Sequence, residues 1–171
     1  GCPRLLGAVI RGVTVGASPE WLQQRLRSVG LRSINNVVDA TNYIMLELNQ
    51  PMHAYDASTL RGQTLVARAA VAGELVLTLD GVERKLSVGS LVIADAERTV
   101  GIAGVMGGRD TEVSATTTTL LLECAYFEPS RVRLARRASC RSTTMCRDAS
   151  ARSRTARRPT ISRPRCQAAS H

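Results

Sequence analysis

The chain has 171 residues, 44% of them hydrophobic but only 3% aromatic, which suits one domain with flanks and a core of Val, Leu, Ile and Ala. Its net charge of +9 is uneven: residues 1–130 carry 11 basic and 13 acidic side chains, a net −2, whereas residues 131–171 carry 12 Arg and only Asp148, a net +11. These values exclude a strongly basic body. No apolar run is long enough to cross a bilayer, and no charged segment leads into an apolar stretch and a small-residue cleavage site, so neither a membrane helix nor a signal peptide is expected.

In chain order, Leu5 to Val15 alternates as a strand does. Ser18-Pro19 then offers an N-cap and a Pro at the first helical position. Glu20 to Val29 has Trp21, Leu22, Leu26 and Val29 at helical spacing, with Gly30 as its stop. A second helix is predicted from Asn36 to Leu48, with Val37, Val38, Thr41, Ile44, Met45 and Leu48 on one face and Pro51 beyond its end. Leu65 to Ala69 reads as a strand. Leu75 to Leu79 and Val82 to Leu86 flank Asp80-Gly81, a strong hairpin signal. Leu91 to Ala94, Val100 to Val105 and Thr119 to Tyr126 are short apolar runs that read as buried strands. Pro129 begins a last helix, with Val132 and Leu134 as its apolar residues.

After Ala138 the character changes. From Ser139 to His171 the only large aliphatic or aromatic residue is Ile161, so this segment cannot bury enough apolar area to offset its ordering entropy and is expected to be disordered. Three of the five cysteines lie there (Cys140, Cys146, Cys166), the others being Cys2 and Cys124. None forms a C-x-x-C pair. With His53 and His171 as the only histidines, neither a disulfide framework nor a metal centre is expected, and a reducing compartment is the default. The chain opens Gly1-Cys2-Pro3 without Met, as a piece of something longer would.

One stretch carries more than composition. NNVVDATNYIMLELNQPMHAYD, Asn35 to Asp56, resembles the signature of the phenylalanyl-tRNA synthetase β chain. The resemblance continues through LTLDGVERKL (Leu77 to Leu86), LVIAD (Leu91 to Asp95), GIAGVMGGRDTEV (Gly101 to Val113) and LLLECAYFEPSRVRLARR (Leu120 to Arg137). With the leading CPRLLGAVIRGVTVGASPEWLQQRL it covers residues 2–137, in order and at matching spacing. Several linked motifs are far more specific than one glycine pattern.

The resemblance implies an α+β fold, with mixed or antiparallel sheets packed with helices, in the post-transfer editing domain that hydrolyses tyrosine wrongly esterified to tRNA(Phe). Residues 1–30 would lead into that domain, 31–138 would form it, incomplete at its end, and 139–171 would be the tail. The family's enzymes are cytoplasmic and pair two α with two β chains. Their ATP- and Mg-dependent aminoacylation site lies on the α chain, so no cofactor is expected in this region. tRNA(Phe) and the α chain are the implied partners.

Editing has a physical rationale. An apolar pocket discriminates only about a hundredfold against an isostere that adds a hydroxyl. A second pocket that hydrogen-bonds the hydroxyl leaves a buried polar group unpaired when phenylalanine enters, at a cost of about 1–3 kcal/mol. Glu123 matches the family's tyrosine-reading glutamate. From sequence alone the better reading is a solvent-facing strand residue between inward Leu120 and Leu122; the resemblance favours the reader. His53, expected in a loop after Pro51, matches the active-site histidine, with a role in orienting water or the ester carbonyl. It would otherwise tie down its loop. Thr41 and Asn42 match a Thr-Asn pair of the pocket, or are helix-surface polars. Arg32 matches an arginine near the same pocket that would meet the terminal adenosine or phosphate, or is a solvated charge.

Gly101, Gly104, Gly107 and Gly108 form a G-x-x-G-x-x-G-G run that is neither a dinucleotide fingerprint nor a P-loop. Within it, Ala103 and Gly104 match pocket-lining positions whose N–H groups would stabilise an oxyanion; a tight turn explains the run as well. No G-x-S-x-G elbow occurs, and Cys124 sits in an apolar run that makes it inert core rather than a nucleophile. Direct attack by a positioned water is therefore expected. In the family, a motif of the type G-L-R-[ST]-[DE]-A-S-x-R-[FY]-E-R-G-V-D-P follows and completes the pocket. Here SCRSTTMCRDASARSRTARRPT stands instead, with the marks of a GC-rich gene read out of frame or a mispredicted gene end. The competing readings are an RNA-binding protein that uses its basic tail and a structural fragment without chemistry.

Overall fold

The computed structural model describes residues 1–139; the expected disorder of 139–171 falls almost wholly outside them. The apolar run Thr119–Tyr126 (β9) is the central strand of a three-stranded antiparallel sheet, between Arg4–Arg11 (β1) and Met52–Asp56 (β2). Because side chains alternate across a strand, β9 divides its residues between two covered faces. Leu120 joins Ala54, Val37 and Val113 in a core on one face. Leu121 packs on the other, against a cluster formed by Tyr55, Leu60, Leu91, Ile93, Val100 and Ala103.

That second cluster belongs to a four-stranded antiparallel sheet in the order Val66–Ala69 (β3), Leu91–Ala94 (β6), Thr99–Ile102 (β7), Met106–Gly107 (β8). All of β6 and β7 is buried, since the far face of this sheet is covered too. Val92 and Ile102 pack there with Val76, Leu86 and Ala135, which come from the hairpin Leu75–Leu77 (β4) and Glu83–Lys85 (β5) and from helix Pro129–Ser139 (α3). The architecture is α+β, as the family resemblance implied.

The helices follow their end signals. Glu20–Ser28 (α1) buries Leu22 and Leu26, one turn apart, whereas Trp21 and Val29 stay exposed. Gly30 at φ +80° ends it: the Gly30 N–H donates to Arg27 O and the Leu31 N–H to Leu26 O, a Schellman closure. Ser18 is not the N-cap. Pro19 takes that position, and the buried Ser18 hydroxyl instead donates to Asp39. Asn36–Leu48 (α2) has the expected bounds, capped by the Asn35 side chain, which accepts from the N–H groups of Val37 and Val38. Its inward face is narrower than predicted: Val37 is buried, but Leu48 is 66% exposed. In α3 it is Ala135, not Leu134, that enters the core.

The Asp80-Gly81 hairpin forms with a longer loop than the two-residue turn. Leu77 pairs with Glu83, the Gly81 N–H donates to Thr78 O, the Thr78 N–H to Val82 O, and Gly81 has φ +75°. This is a tight turn followed by a glycine bulge. Arg84 lies under it, its guanidinium held by both oxygens of Asp80 and by the Thr78 hydroxyl.

Candidate functional site

His53 is not in a loop. It lies on β2, which hydrogen-bonds along the β9 edge and places His53 directly opposite Glu123. A proline two residues earlier gives a loop signal, and the five residues Met52 to Asp56 are too few for alternation to overrule it. Since residues two apart share a strand face, His53, Tyr55 and Glu123 all point between the two sheets. Neighbouring β1 contributes Gly7 opposite Glu123, which adds no side chain there.

Glu123 is only 6% exposed. Its Oε2 accepts a 2.6 Å hydrogen bond from the hydroxyl of Tyr55, which is itself 1% exposed. Burial raises the Glu123 carboxyl above the usual carboxylate range, and the Tyr55 hydrogen bond opposes that rise. The Tyr55 phenol is pushed up by burial and by the adjacent carboxylate. Glu123 is therefore neither a surface polar nor an ordinary core residue, but a buried acid held by one donor.

His53 completes the group. Its ring stands edge-on to that of Tyr55, centroids 4.5 Å apart and planes at 73°. On another side it meets Gly107 of β8 so closely that a Cβ there would lie 2.5 Å from Nε2. Burial lowers the imidazole from 6.5 to about 4, so it is neutral near pH 7. Its Nε2 is buried and has no hydrogen-bond partner among the described residues. A neutral imidazole with an unsatisfied ring nitrogen can take a proton from water, or donate to a carbonyl, according to its tautomer.

The glycine run is now accounted for by packing. Gly107 makes room for His53, and Gly108 lies where a Cβ would come within 2.6 Å of the Val100 carbonyl oxygen. Gly104 turns the chain at φ +67° between β7 and β8. Ala103 is 1% exposed in the cluster that holds Tyr55, but its N–H already donates to Leu91 O, and the Gly108 N–H donates to Val100 O. Sheet pairing thus uses the amide that the sequence offered to an oxyanion at Ala103. Gly104 is exposed beside Val132 and Phe127.

The other expected residues stand apart from this group. Thr41 and Asn42 are half-buried on α2, which packs on the opposite face of the first sheet through Val37; the Thr41 hydroxyl donates to Val38 O within the helix. Arg32 is exposed and lines an open surface depression with Arg27, Gly30 and Ser33, which includes neither His53 nor Glu123. No hydrogen bond or ion pair among the described residues links these three to the His53 group. Tyr55 was the member that sequence reasoning missed. The signal was present: HAYD puts an aromatic two residues from His53, on the same face of any strand. Cys124, opposite Met52 on the other face of β9, is half-buried and free. No cluster of three or more His, Cys, Asp or Glu able to hold a metal occurs among the described residues, and none of their helices is long and apolar enough to cross a membrane.

The family profile described as the B3/4 domain matches residues 1–169, past the compositional break at Ala138. A phenylalanine–tRNA ligase β subunit of Geobacter sulfurreducens is 52% identical over 132 residues, 77% of this chain and 16% of the relative. That of Moorella thermoacetica is 50% identical over 147 residues, 85% of this chain and 18% of the relative. The chain thus spans less than a fifth of the length of these relatives. The crystal structure of an N-terminal fragment of the phenylalanyl-tRNA synthetase β subunit from Pyrococcus horikoshii superposes with a TM-score of 0.54 at 14% identity, over 78% of this chain and 42% of that one, a likeness of fold. By its family profile and by half-identical relatives, the chain belongs to the B3/4 domain family in its phenylalanyl-tRNA synthetase β-subunit form.

Proposed function

We propose that this chain carries the site at which a phenylalanyl-tRNA synthetase removes tyrosine wrongly attached to tRNA(Phe). The observation that supports this most is the buried Glu123 opposite a neutral His53 whose Nε2 has no partner. A carboxylate in a dry site distinguishes tyrosine from phenylalanine by accepting a hydrogen bond from the phenol hydroxyl, and it leaves an unpaired acceptor when phenylalanine enters. His53 serves the other end of the substrate, taking the proton of a water as that water attacks the ester carbonyl. The carbonyl carbon gains the water oxygen, the ribose oxygen leaves as the hydroxyl of the terminal adenosine, and free tyrosine departs. No covalent enzyme intermediate is needed.

By the family resemblance Ala103 and Gly104 would line the amino-acid pocket and Arg32 would meet the tRNA terminus; Thr41 and Asn42, which the resemblance also assigns to the pocket, lie on α2 behind the first sheet and are assigned no contact with the amino acid. In the whole synthetase the chain would act beside an α subunit that binds ATP and Mg, with tRNA(Phe) as the shared substrate, in the cytoplasm. The domain would begin at residue 31, after a lead-in of 1–30, and end at 138, before an out-of-frame tail.

The test is deacylation of Tyr-tRNA(Phe) by the purified chain, beside a version with the family reading frame restored after Arg137. Hydrolysis by either, lost in Glu123→Ala, supports the editing site; hydrolysis by the restored version alone makes the tail responsible for the chain's inactivity. Hydrolysis by neither removes the proposal. A second reading has its own observation: the Tyr55–Glu123 hydrogen bond is also what a purely structural buried pair makes. It requires wild-type hydrolysis rates in Glu123→Ala.

A further inference from the structure

We propose that Tyr55 is the positioning residue of this site: its hydroxyl holds one oxygen of Glu123 and its ring braces His53, so that the carboxylate meets an incoming hydroxyl through its other oxygen. The inference rests on the reading of Glu123 as the group that recognises a substrate hydroxyl.

A buried carboxylate has about four lone-pair sites to satisfy. The Tyr55 hydroxyl, 2.6 Å from Oε2, provides one donor. No hydrogen bond among the described residues reaches Oε1. Free rotation would let the carboxylate turn either oxygen toward a ligand. The Tyr55 bond removes that freedom, because Tyr55 is fixed in the core with Leu60, Ile93 and Val100. The same ring lies edge-on against His53, and Gly107 closes another side of the imidazole. Tyr55 therefore touches both polar members of the site from a position sealed from solvent.

The groups facing Glu123 are few. β2 presents His53 and Tyr55, β1 presents uncharged Gly7, and the segment before β1 brings Cys2, whose thiol is pushed up chiefly by burial and to a lesser degree by the Glu123 carboxylate. The Tyr55 hydroxyl is the group that favours the charged carboxylate, against a burial that disfavours it. Without it, Glu123 is left both free to rotate and more readily protonated.

Tyr55→Phe in the 171-residue chain removes the hydroxyl and keeps the ring. Two readouts follow: the titration of the Glu123 side-chain carboxyl by 13C NMR, and the pH profile of Tyr-tRNA(Phe) hydrolysis. The expected result is a higher Glu123 pKa in the variant, with hydrolysis reduced tenfold or more near pH 6 and less near pH 8.5. Tyr55→Leu, which also removes the brace, should lower hydrolysis at every pH and move the His53 ring resonances. A Tyr55→Phe variant with an unchanged Glu123 titration overturns the proposal, even if the wild-type chain hydrolyses Tyr-tRNA(Phe). Conversely, a shifted titration in a chain without hydrolysis supports the role of Tyr55 and counts against the editing reading alone. A variant that hydrolyses with the wild-type pH profile while its titration shifts also overturns it, since the bond would then not serve recognition.

Discussion

His53 and Glu123 pull stability in opposite directions with pH. The His53 imidazole titrates at about 4 in the fold instead of 6.5, so the unfolded chain binds the extra proton first. Stability from this residue is present above pH 6.5 and lost as pH falls toward 4, by at most about 3 kcal/mol at 1.36 kcal/mol per pH unit. Thermal melts of the chain and of His53→Gln from pH 7 to pH 4 should show the loss in the former and a flatter profile in the latter. Glu123 has a raised pKa, so its contribution is present below the unfolded carboxylate range and is lost as pH rises through the folded value. Glu123→Gln keeps an acceptor for Tyr55 without the buried charge. It should melt no lower than the parent near pH 7.5 while losing any selectivity for tyrosyl esters. Gly107 tests the packing directly. Gly107→Ala would drive a methyl into the imidazole, and overpacking of this kind costs about 1–3 kcal/mol. The expected outcome is a lower denaturation midpoint with displaced His53 resonances. Gly108→Ala should be worse, since the obstacle is the Val100 carbonyl oxygen, which cannot rotate away.

At the scale of an element, the β4–β5 hairpin depends on one buried ion pair. Arg84 and Asp80 are 6% and 7% exposed, and the guanidinium holds the Asp80 carboxyl well below the usual carboxylate range. Removing one partner of such a pair leaves a charge in a low-dielectric setting, at a cost of about 3–5 kcal/mol. Asp80→Ala should therefore lower the urea midpoint by far more than an exposed substitution such as Glu83→Ala. The hairpin also covers the far face of the second sheet through Val76 and Leu86, so its loss would expose Val92 and Ile102. Asp39 plays a comparable part for the helices: its carboxylate accepts from the hydroxyls of Ser18 and Ser33 and from the Ile34 N–H, joining the approach to α1, the link after it and α2.

For the whole molecule, charge separates two parts. Eight of the arginines lie in residues 139–171, with Asp148 as the single acid there. Binding to unstructured RNA should fall steeply with salt, and deletion of 139–171 should flatten that dependence. A filter-binding series between about 50 and 200 mM salt checks it. Retention of the salt slope after deletion would place the contacts on the nearly neutral body instead.

Much of the architecture was legible in the residues. Helix α2, strand β9 and the Asp80-Gly81 hairpin carry local signals, namely apolar periodicity, a β-rich run and a turn glycine, and these act over a few neighbours. The linked motifs from Asn35 to Arg137 were also enough to indicate the family. Strand β2 was not legible, because five residues after a proline become a strand only when β9 offers its edge. Nor was the burial of Glu123, which depends on a second sheet closing over β9. The polar group itself joins His53, Tyr55, Gly107 and Glu123, of which only His53 and Tyr55 are near in sequence. Sequence determined which chemistry was available. Tertiary structure alone decided that a phenol would hold the carboxylate and a glycine would face the imidazole, because the first contact forms only when β2 pairs with the sequence-distant β9, and the second only when the two sheets pack face to face.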